Sequence, residues 1–285
     1  MIADQIMMYL DSVGKRVDEK VLEAATERFK QALTRQIMSD RENRPNQLYA
    51  TMVTKKCARQ AAYKFHGFKG AELSPRAKIN FLIGDFVELT VLALAELAGA
   101  KVEKNNERLI VKGSGVEFVC RPDGLINTEH GLFNVEIKKM SEYGYDEWER
   151  AGLSDDWGYR TQSQLECFAW KLAGVDVKGT CFVGIRGLTG HIREELIPYE
   201  EGLASSACER AMRVQSSTKE TLPERAWAPV PETFRGKPTG LMILPMQCSY
   251  CDFAKAHCWP EAKIEIKSGK PKFYIKESIQ DAKSG

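Results

Sequence analysis

The chain has 285 residues, of which 43% are hydrophobic, so it is long enough for one large domain or a domain with a helical annex. Its 41 Lys and Arg residues nearly balance 39 Asp and Glu residues, and a net charge of +2 neither indicates nor excludes a nucleic-acid partner. The N-terminal segment lacks the pattern of a signal peptide, and the most apolar run, from Phe86, contains Glu88 and Glu96. We therefore expect a cytoplasmic protein with no membrane role, whose eight cysteines are buried thiols or metal ligands rather than disulfides.

The first half of the chain is predicted to be largely helical. Apolar residues recur at helical spacing over residues 17–38, which predicts an amphipathic helix. A short extended piece and a helix over residues 55–65 follow. Ser74 and Pro75 are typical of an N-cap and the first helical position, and Gly99 is a suitable end for the helix that they begin.

The second half alternates strands with helices. Four β-rich runs, ERLIVK, VEFVC, GLIN and LFNVEIKK, predict a hairpin meander. A helix over 158–172, the strands GTCFVGI and HIREELIP, and a helix over 200–215 come next, so we expect an α/β or α+β core with a mixed sheet. The Pro-rich stretch 221–240 is predicted to be a loop, and KIEIKSGKPKFYIKE a last hairpin that turns at Ser268 and Gly269.

Acidic residues and a lysine converge on one predicted hairpin. If the chain reverses in NTEHG, Asp123 lies opposite Val135 or Glu136, and Glu136 and Lys138 leave the same face of their strand. Two carboxylates suit Mg²⁺ or Mn²⁺, and a lysine beside them can position a water for phosphodiester hydrolysis. A solvated hairpin is the alternative, but the apolar strand LFNVEIK makes a solvated face less expected.

These motifs resemble the signature of the PD-(D/E)xK nuclease superfamily, in its RecB-like branch. RPDG is followed by EIK thirteen residues after the Asp, and GDFVE resembles the first motif of the branch. The resemblance implies a restriction-endonuclease-like α/β fold, in which a central mixed β-sheet is flanked by helices. Glu88 replaces the His that many relatives carry, although it preserves an oxygen ligand. The implied metal ligands are Glu88, Asp123, Glu136 and the backbone carbonyl of Ile137, with Lys138 as a catalytic residue.

The segment YRTQSQLECF resembles the helical Q-x3-Y motif of the same branch. The resemblance makes Gln164 the catalytic-site glutamine that contacts the nucleic-acid strand, with Phe168 in place of the Tyr. Gln162 is the competing choice. Without the resemblance, a glutamine on a helix would be interpreted as solvated.

Three cysteines near the C-terminus have the spacing of a metal site. Cys248 and Cys251 can bind one ion from a tight turn, and Cys258 can return to it after a short helical excursion. His257 could be a fourth ligand, but it adjoins Cys258, and neighbouring side chains tend to point apart. The remaining internal cysteines are expected to be buried packing residues: Cys120, Cys167, Cys181 and Cys208.

Cys57, in TKKCARQAAYKF, resembles the N-terminal cysteine of the iron-sulfur nucleases in this branch, which include the AddB type and CRISPR-associated exonucleases. In that family one cysteine before the nuclease core and three after it bind a [4Fe-4S] cluster that ties the two ends of the domain together. The resemblance therefore implies a cluster on Cys57, Cys248, Cys251 and Cys258. Zn²⁺ is the competing occupant, because four thiolates suit both.

The expected organisation is an N-terminal helical extension (1–45), a nuclease domain closed by the cysteine cluster (46–265) and a C-terminal hairpin or tail (266–285). The expected function is Mg²⁺- or Mn²⁺-dependent DNA cleavage, as an exonuclease on single-stranded or frayed ends. Two alternatives are a non-cleaving subunit that binds nucleic acid or assembles with other proteins, and a redox or zinc scaffold. Besides DNA, the expected partner is a recombination or CRISPR-related protein. Four cations could follow the phosphate backbone or form a solvated helix face: Lys55, Lys56, Arg59 and Lys64.

Overall fold

The computed structural model describes residues 1–12, 14, 17–38, 44–105, 107–113, 115–267 and 270–275. Its helices, in chain order, are α1 (Ile2–Asp11), α2 (Glu19–Met38), α3 (Ala50–Val53), α4 (Ala58–Phe65), α5 (Pro75–Leu97), α6 (Glu142–Ala151), α7 (Tyr159–Leu172), α8 (Glu201–Gln215) and α9 (Met246–Ser249), with a π-helical turn at Ala254–Cys258. No helix of the described residues is both long and apolar enough to cross a membrane.

The strands are β1 (Val102–Glu103), β2 (Leu109–Gly113), β3 (Val116–Cys120), β4 (Gly124–Thr128), β5 (Gly131–Met140), β6 (Gly179–Arg186), β7 (Ile192–Pro198), β8 (Val230–Phe234), β9 (Lys237–Ile243), β10 (Lys263–Lys267) and β11 (Lys270–Ile275). The chain divides into two units. The first contains residues 1–42, 47–55 and 74–212, and the second contains 43–46, 56–73 and 213–285. Both units are therefore assembled from segments that are far apart in the sequence.

The first unit is built on a five-stranded sheet in the order β1-β4-β5-β6-β7. Strands β5 and β6 are parallel, because α6 and α7 form the crossover between them, and the other neighbours are antiparallel. The predicted mixed sheet is confirmed.

Helices cover both faces of this sheet. Alternate residues of β5 and β6 point to one face, where Val135 and Val183 pack with Ile2 of α1 and Leu92 of α5. On the other face, Phe182 packs with Met140 and the α6 residues Tyr145 and Trp148. The first unit is therefore a mixed α/β structure whose central sheet is flanked by helices.

Helix boundaries agree with the local sequence signals. The Ser74 side chain accepts a hydrogen bond from the Ala77 backbone N–H (3.2 Å), Pro75 is the first residue of α5, and Gly99 has a φ of +87° just after the helix. Helix α7 begins after Gly158, where a Cβ atom would lie 2.7 Å from the Thr54 carbonyl oxygen. Glycine is required there because the backbones approach too closely for a side chain.

The predicted four-strand meander is wrong in its continuity. Strands β2 and β3 form a separate two-stranded sheet, and only β4 and β5 continue into the central sheet. The Val119 backbone N–H donates to Leu48, so the free edge of β3 pairs with the segment before α3. Pro122 interrupts the chain between β3 and β4, and it has no N–H with which to extend a ladder.

The second unit contains α4 and a four-stranded sheet in the order β10-β11-β9-β8. Part of the stretch predicted as a loop is instead the β8–β9 hairpin, which turns at Arg235 and Gly236 with φ values of +50° and +78°. Four prolines made the stretch resemble a loop, but an edge hairpin tolerates prolines. The predicted last hairpin is confirmed by the pairing of β10 with β11, while its turn at Ser268 and Gly269 lies outside the described residues.

Candidate functional site

The register of the β4–β5 hairpin decides where Asp123 lies. Gly124 pairs with Val135, so Asp123, one residue earlier, lies beside Glu136. The Ile137 backbone N–H donates to Asp123 Oδ2 (2.7 Å), which fixes the carboxylate at the end of the hairpin. A Cβ atom on Gly124 would lie 2.5 Å from Val102, so the residue after Asp123 has to be glycine for β1 to pair here.

Glu136 is a buried carboxylate in an unusual environment. It leaves the same face of β5 as Lys138, whose ammonium group forms an ion pair with Glu136 Oε1. Beyond this ion pair, no donor in the described part of the chain makes a hydrogen bond to either Glu136 oxygen. Burial of a carboxylate with unsatisfied oxygens is costly, and a bound cation would offset that cost.

Glu166 of α7 is a further carboxylate at this site, and the sequence analysis missed it. Asn134 Nδ2 donates to Glu166 Oε2 and Gln162 Nε2 donates to Oε1, each at 3.0 Å, while Trp170 Nε1 donates to Asn134 Oδ1 at 3.1 Å. A signal was present in the sequence. Asn134 and Glu136 share one strand face, and Gln162 and Glu166 are one helical turn apart.

The electrostatics show that these groups act on one another. Burial, together with the charges of Glu88 and Glu136, raises the pKa of Asp123 well above its usual value, although Lys138 opposes this. Burial and Glu136 likewise raise the pKa of Glu166. Burial disfavours the charged form of Lys138, but Glu136 and Asp123 outweigh it and raise the lysine pKa. The group has an excess of negative charge around one cation.

The structure therefore places Glu88, Asp123, Glu136 and Lys138 in one electrostatic environment, together with Glu166. Glu88 is half-buried on α5, and its effect on the pKa of Asp123 places it in the same electrostatic environment. All of these residues belong to the first unit.

Gln164 is buried on α7, and its Oε1 accepts a hydrogen bond from the Glu200 backbone N–H (2.7 Å). Its Nε2 has no hydrogen-bond partner among residues that the structure describes. The glutamine that touches the carboxylate group, through Glu166, is Gln162, the competing choice.

The four cysteines implied by the resemblance line one cavity in the second unit, with about 330 Å³ of empty space including its opening. Cys57 lies directly before α4, Cys248 is in α9, and Cys258 ends the π-helical turn. Burial, and then Cys57 and Cys251, raise the pKa of Cys248 to about 12, so the thiols are close enough to affect one another. The cavity lining also includes Trp227 and Trp259.

His257 does not join the cysteines through a described contact. Its Nε2 donates to the Lys69 carbonyl oxygen (2.7 Å), and its ring lies against Tyr63 and Phe68. The internal cysteines are all buried, as predicted: Cys120, Cys167, Cys181 and Cys208.

The four candidate cations differ in their surroundings. Lys55 and Lys56 are exposed, and Lys64 is half-buried on α4. Arg59 is engaged within the second unit, where Nε donates to the Tyr63 hydroxyl (3.1 Å) and Nη1 to the Pro223 carbonyl (3.0 Å).

Both centres have donors that fit the groups implied for them. Buried carboxylate oxygens that have the Lys138 ammonium but no further donor among the described residues suit a hard divalent cation, and four thiols around one cavity suit iron-sulfur or zinc. Over the described ranges, no three or more His, Cys, Asp and Glu side chains are already spaced as a metal site. The agreement with these metal groups therefore lies in the chemistry of the donor atoms and not in their spacing.

Comparison with known proteins shows no matching family model and no matching curated protein. One solved structure to which the chain is similar is described as "Crystal structure of SSO0001". The two share 17% identity with a TM-score of 0.43, over 80% of this chain and 93% of the other. No argument is based on a likeness at that level.

Proposed function

We propose that the chain is a Mg²⁺- or Mn²⁺-dependent DNA nuclease of the PD-(D/E)xK type, with a restriction-endonuclease-like fold. The observation that carries the proposal is the Asp123, Glu136 and Lys138 group, in which the buried Glu136 carboxylate has the Lys138 ammonium as its ion-pair partner and, among the described residues, no further hydrogen-bond donor. A solvated surface hairpin would expose these groups, whereas Asp123 and Glu136 are buried.

Glu88, Asp123, Glu136 and the Ile137 carbonyl would hold the ion, and Glu166 adds a carboxylate beside them. A bound Mg²⁺ or Mn²⁺ would polarise the scissile phosphate and make a bound water more acidic. Lys138 would hold the attacking water and offset negative charge on the phosphate. Its ion pair with Glu136 keeps the ammonium group charged and directed at the site.

The substrate that we propose is single-stranded or end-frayed DNA, cut as an exonuclease. Exposed Lys55 and Lys56 would attract the phosphate backbone. Gln162, which contacts Glu166, would contact the strand, and buried Gln164 is the second candidate for that role. The four cysteines would hold a [4Fe-4S] cluster, or Zn²⁺, as a structural centre in the second unit.

The decisive experiment is digestion of single- and double-stranded DNA that is labelled at either end, with Mg²⁺ or Mn²⁺. Glu136→Ala and Lys138→Ala should lose cutting. Glu129→Ala in the exposed turn of the same hairpin and Lys139→Ala on the neighbouring exposed residue should retain it. Cutting by Glu136→Ala at the parent rate would overturn the assignment. Binding of DNA by the parent without cutting would favour the non-cleaving subunit instead.

A further inference from the structure

Two arginines lie beside the cysteines of the second unit, and the nuclease proposal gives them no role there. Four thiolates carry more negative charge than a divalent metal or an oxidised iron-sulfur core supplies in positive charge, so a filled site retains a surplus of negative charge. A surplus of charge in a partly buried cavity is unfavourable unless nearby cations offset it.

The first of these arginines is Arg59, which lies two residues after Cys57 on α4. It lines the cysteine cavity, and its guanidinium group holds the Tyr63 hydroxyl and the Pro223 carbonyl at 3.1 and 3.0 Å. These contacts order a long side chain beside the thiols. They also attach the Pro223 segment to α4.

The second is Arg225, two residues beyond Pro223. Its Nη2 donates to the Cys258 carbonyl (2.5 Å), and its guanidinium carbon lies 3.8 Å from the ring centroid of Trp259. Although Arg225 is exposed, these two contacts hold its charge at the backbone of a candidate ligand. Trp227, two residues further on, lines the cavity itself.

Both arginines lie at the cavity that the cysteines line. Arg59 is part of its lining, and Arg225 contacts two lining residues, at the Cys258 carbonyl and the ring of Trp259. Lys255, three residues before Cys258, instead donates to the backbone carbonyls of Pro260 and Ala262.

We propose that Arg59 and Arg225 are positioning residues of the cysteine centre, which offset its negative charge and hold the Cys258 segment against it. The inference rests on the proposed cysteine centre and is independent of DNA cleavage. It applies to iron-sulfur and to zinc alike, because both leave surplus thiolate charge.

The test uses the full chain, purified without oxygen, with iron and zinc measured directly. The rate at which a chelator removes the metal is compared for the parent, Arg59→Gln, Arg225→Gln and the double variant. We expect release about threefold faster in each single variant and about tenfold faster in the double variant. In an iron-sulfur protein, the midpoint potential should also become more negative, because removing positive charge disfavours the added electron.

Two further variants separate charge from general destabilisation. Arg225→Lys keeps the charge, so it should retain most of the parent midpoint potential, or in a zinc protein the parent release rate. Arg235→Gln removes an exposed arginine from the β8–β9 turn of the same unit, and it should behave as the parent. If a glutamine variant does not fold, the test compares Arg225→Lys with the parent and with Arg235→Gln. Faster metal release or a shifted potential in Arg225→Lys, although its charge is retained, would contradict the inference.

Unchanged release and potential in a metal-containing parent and its glutamine variants would overturn the inference while leaving the nuclease proposal intact. Equal acceleration by Arg235→Gln would overturn it as well. A parent that holds neither iron nor zinc would remove both the cysteine centre and this inference, whereas DNA cleavage would still be decided by the Glu136 variants.

Discussion

The two candidate centres are constructed in opposite ways. Glu136 lies on β5, Asp123 directly precedes the paired strand β4, and Glu166 lies on the crossover helix that packs against the sheet, so regular structure positions the carboxylates. The cysteines instead lie in or beside short elements, and Cys57 is about 190 residues from Cys248. The sheet should persist when a carboxylate is lost, whereas the second unit should depend on what the cysteines bind.

The two centres also differ in their balance of charge. The carboxylate group holds an excess of negative charge around Lys138, and charge repulsion and burial together raise the pKa of Asp123 and Glu166. In the second unit, burial raises the pKa of Cys258, and Arg225 and Arg59 oppose this increase. The first centre is thus prepared for an added cation, while the second already has compensating cations from the chain.

The largest expected effect comes from Asp123→Asn. Loss of a ligand charge should reduce DNA cutting about a thousandfold in saturating Mn²⁺, measured as the initial rate on end-labelled strands. Because the folded protein favours neutral Asp123, the same variant should be at least as stable as the parent when no divalent ion is added. If Asp123→Asn cuts DNA at the parent rate and has the stability of the parent, Asp123 is not a ligand of a catalytic ion.

Cys57→Ser should have the opposite pattern. We expect loss of most of the bound iron or zinc and a fall in the unfolding midpoint of about 10 °C, because metal binding contributes directly to folding. The measurements are metal content and thermal unfolding. Cys208→Ser, at a buried cysteine of the first unit, should keep its metal. Equal metal loss in both variants would show that Cys57 has no special role.

A smaller effect should separate the two glutamines of α7. Gln162→Ala removes a donor from Glu166 and should slow cutting about tenfold, the equivalent of one strong hydrogen bond. Gln164→Ala removes the acceptor of the Glu200 N–H and should mainly reduce stability. Cutting rates and urea unfolding of the two variants, side by side, test this. The reverse pattern would support Gln164 as the strand-contacting residue.

The smallest effect is in the pH dependence of stability. The folded-state pKa of Asp123 is raised above the unfolded value, so its stabilising contribution is complete below about pH 4 and is lost as pH rises through the folded pKa. Without added divalent ions, the stability of the parent relative to Asp123→Asn should therefore fall as pH rises toward neutrality. Urea unfolding of both proteins across that range gives the difference, and a rising difference would refute it.

Local signals determined much of the fold. Ser74 and Pro75 began α5 as expected, and the apolar runs became β4 to β7 around a mixed sheet. The hairpin register was narrowed to two choices, because a turn centred near Glu129 leaves Asp123 opposite either Val135 or Glu136. The β8–β9 hairpin was missed, since proline content suggested a loop and only cross-strand pairing shows otherwise.

The sequence by itself selected candidate residues. Type and spacing indicated Asp123, Glu136, Lys138 and the three C-terminal cysteines, and the resemblance to iron-sulfur nucleases added Cys57. Only the tertiary structure placed Glu166 beside Glu136, detached β2 and β3 from the central sheet, and brought Arg225 to Cys258. The physical reason is the separation along the chain of the residues that interact. Caps, turns and side-chain alternation depend on neighbouring residues, whereas burial and charge at a site depend on segments that meet only when the chain has folded.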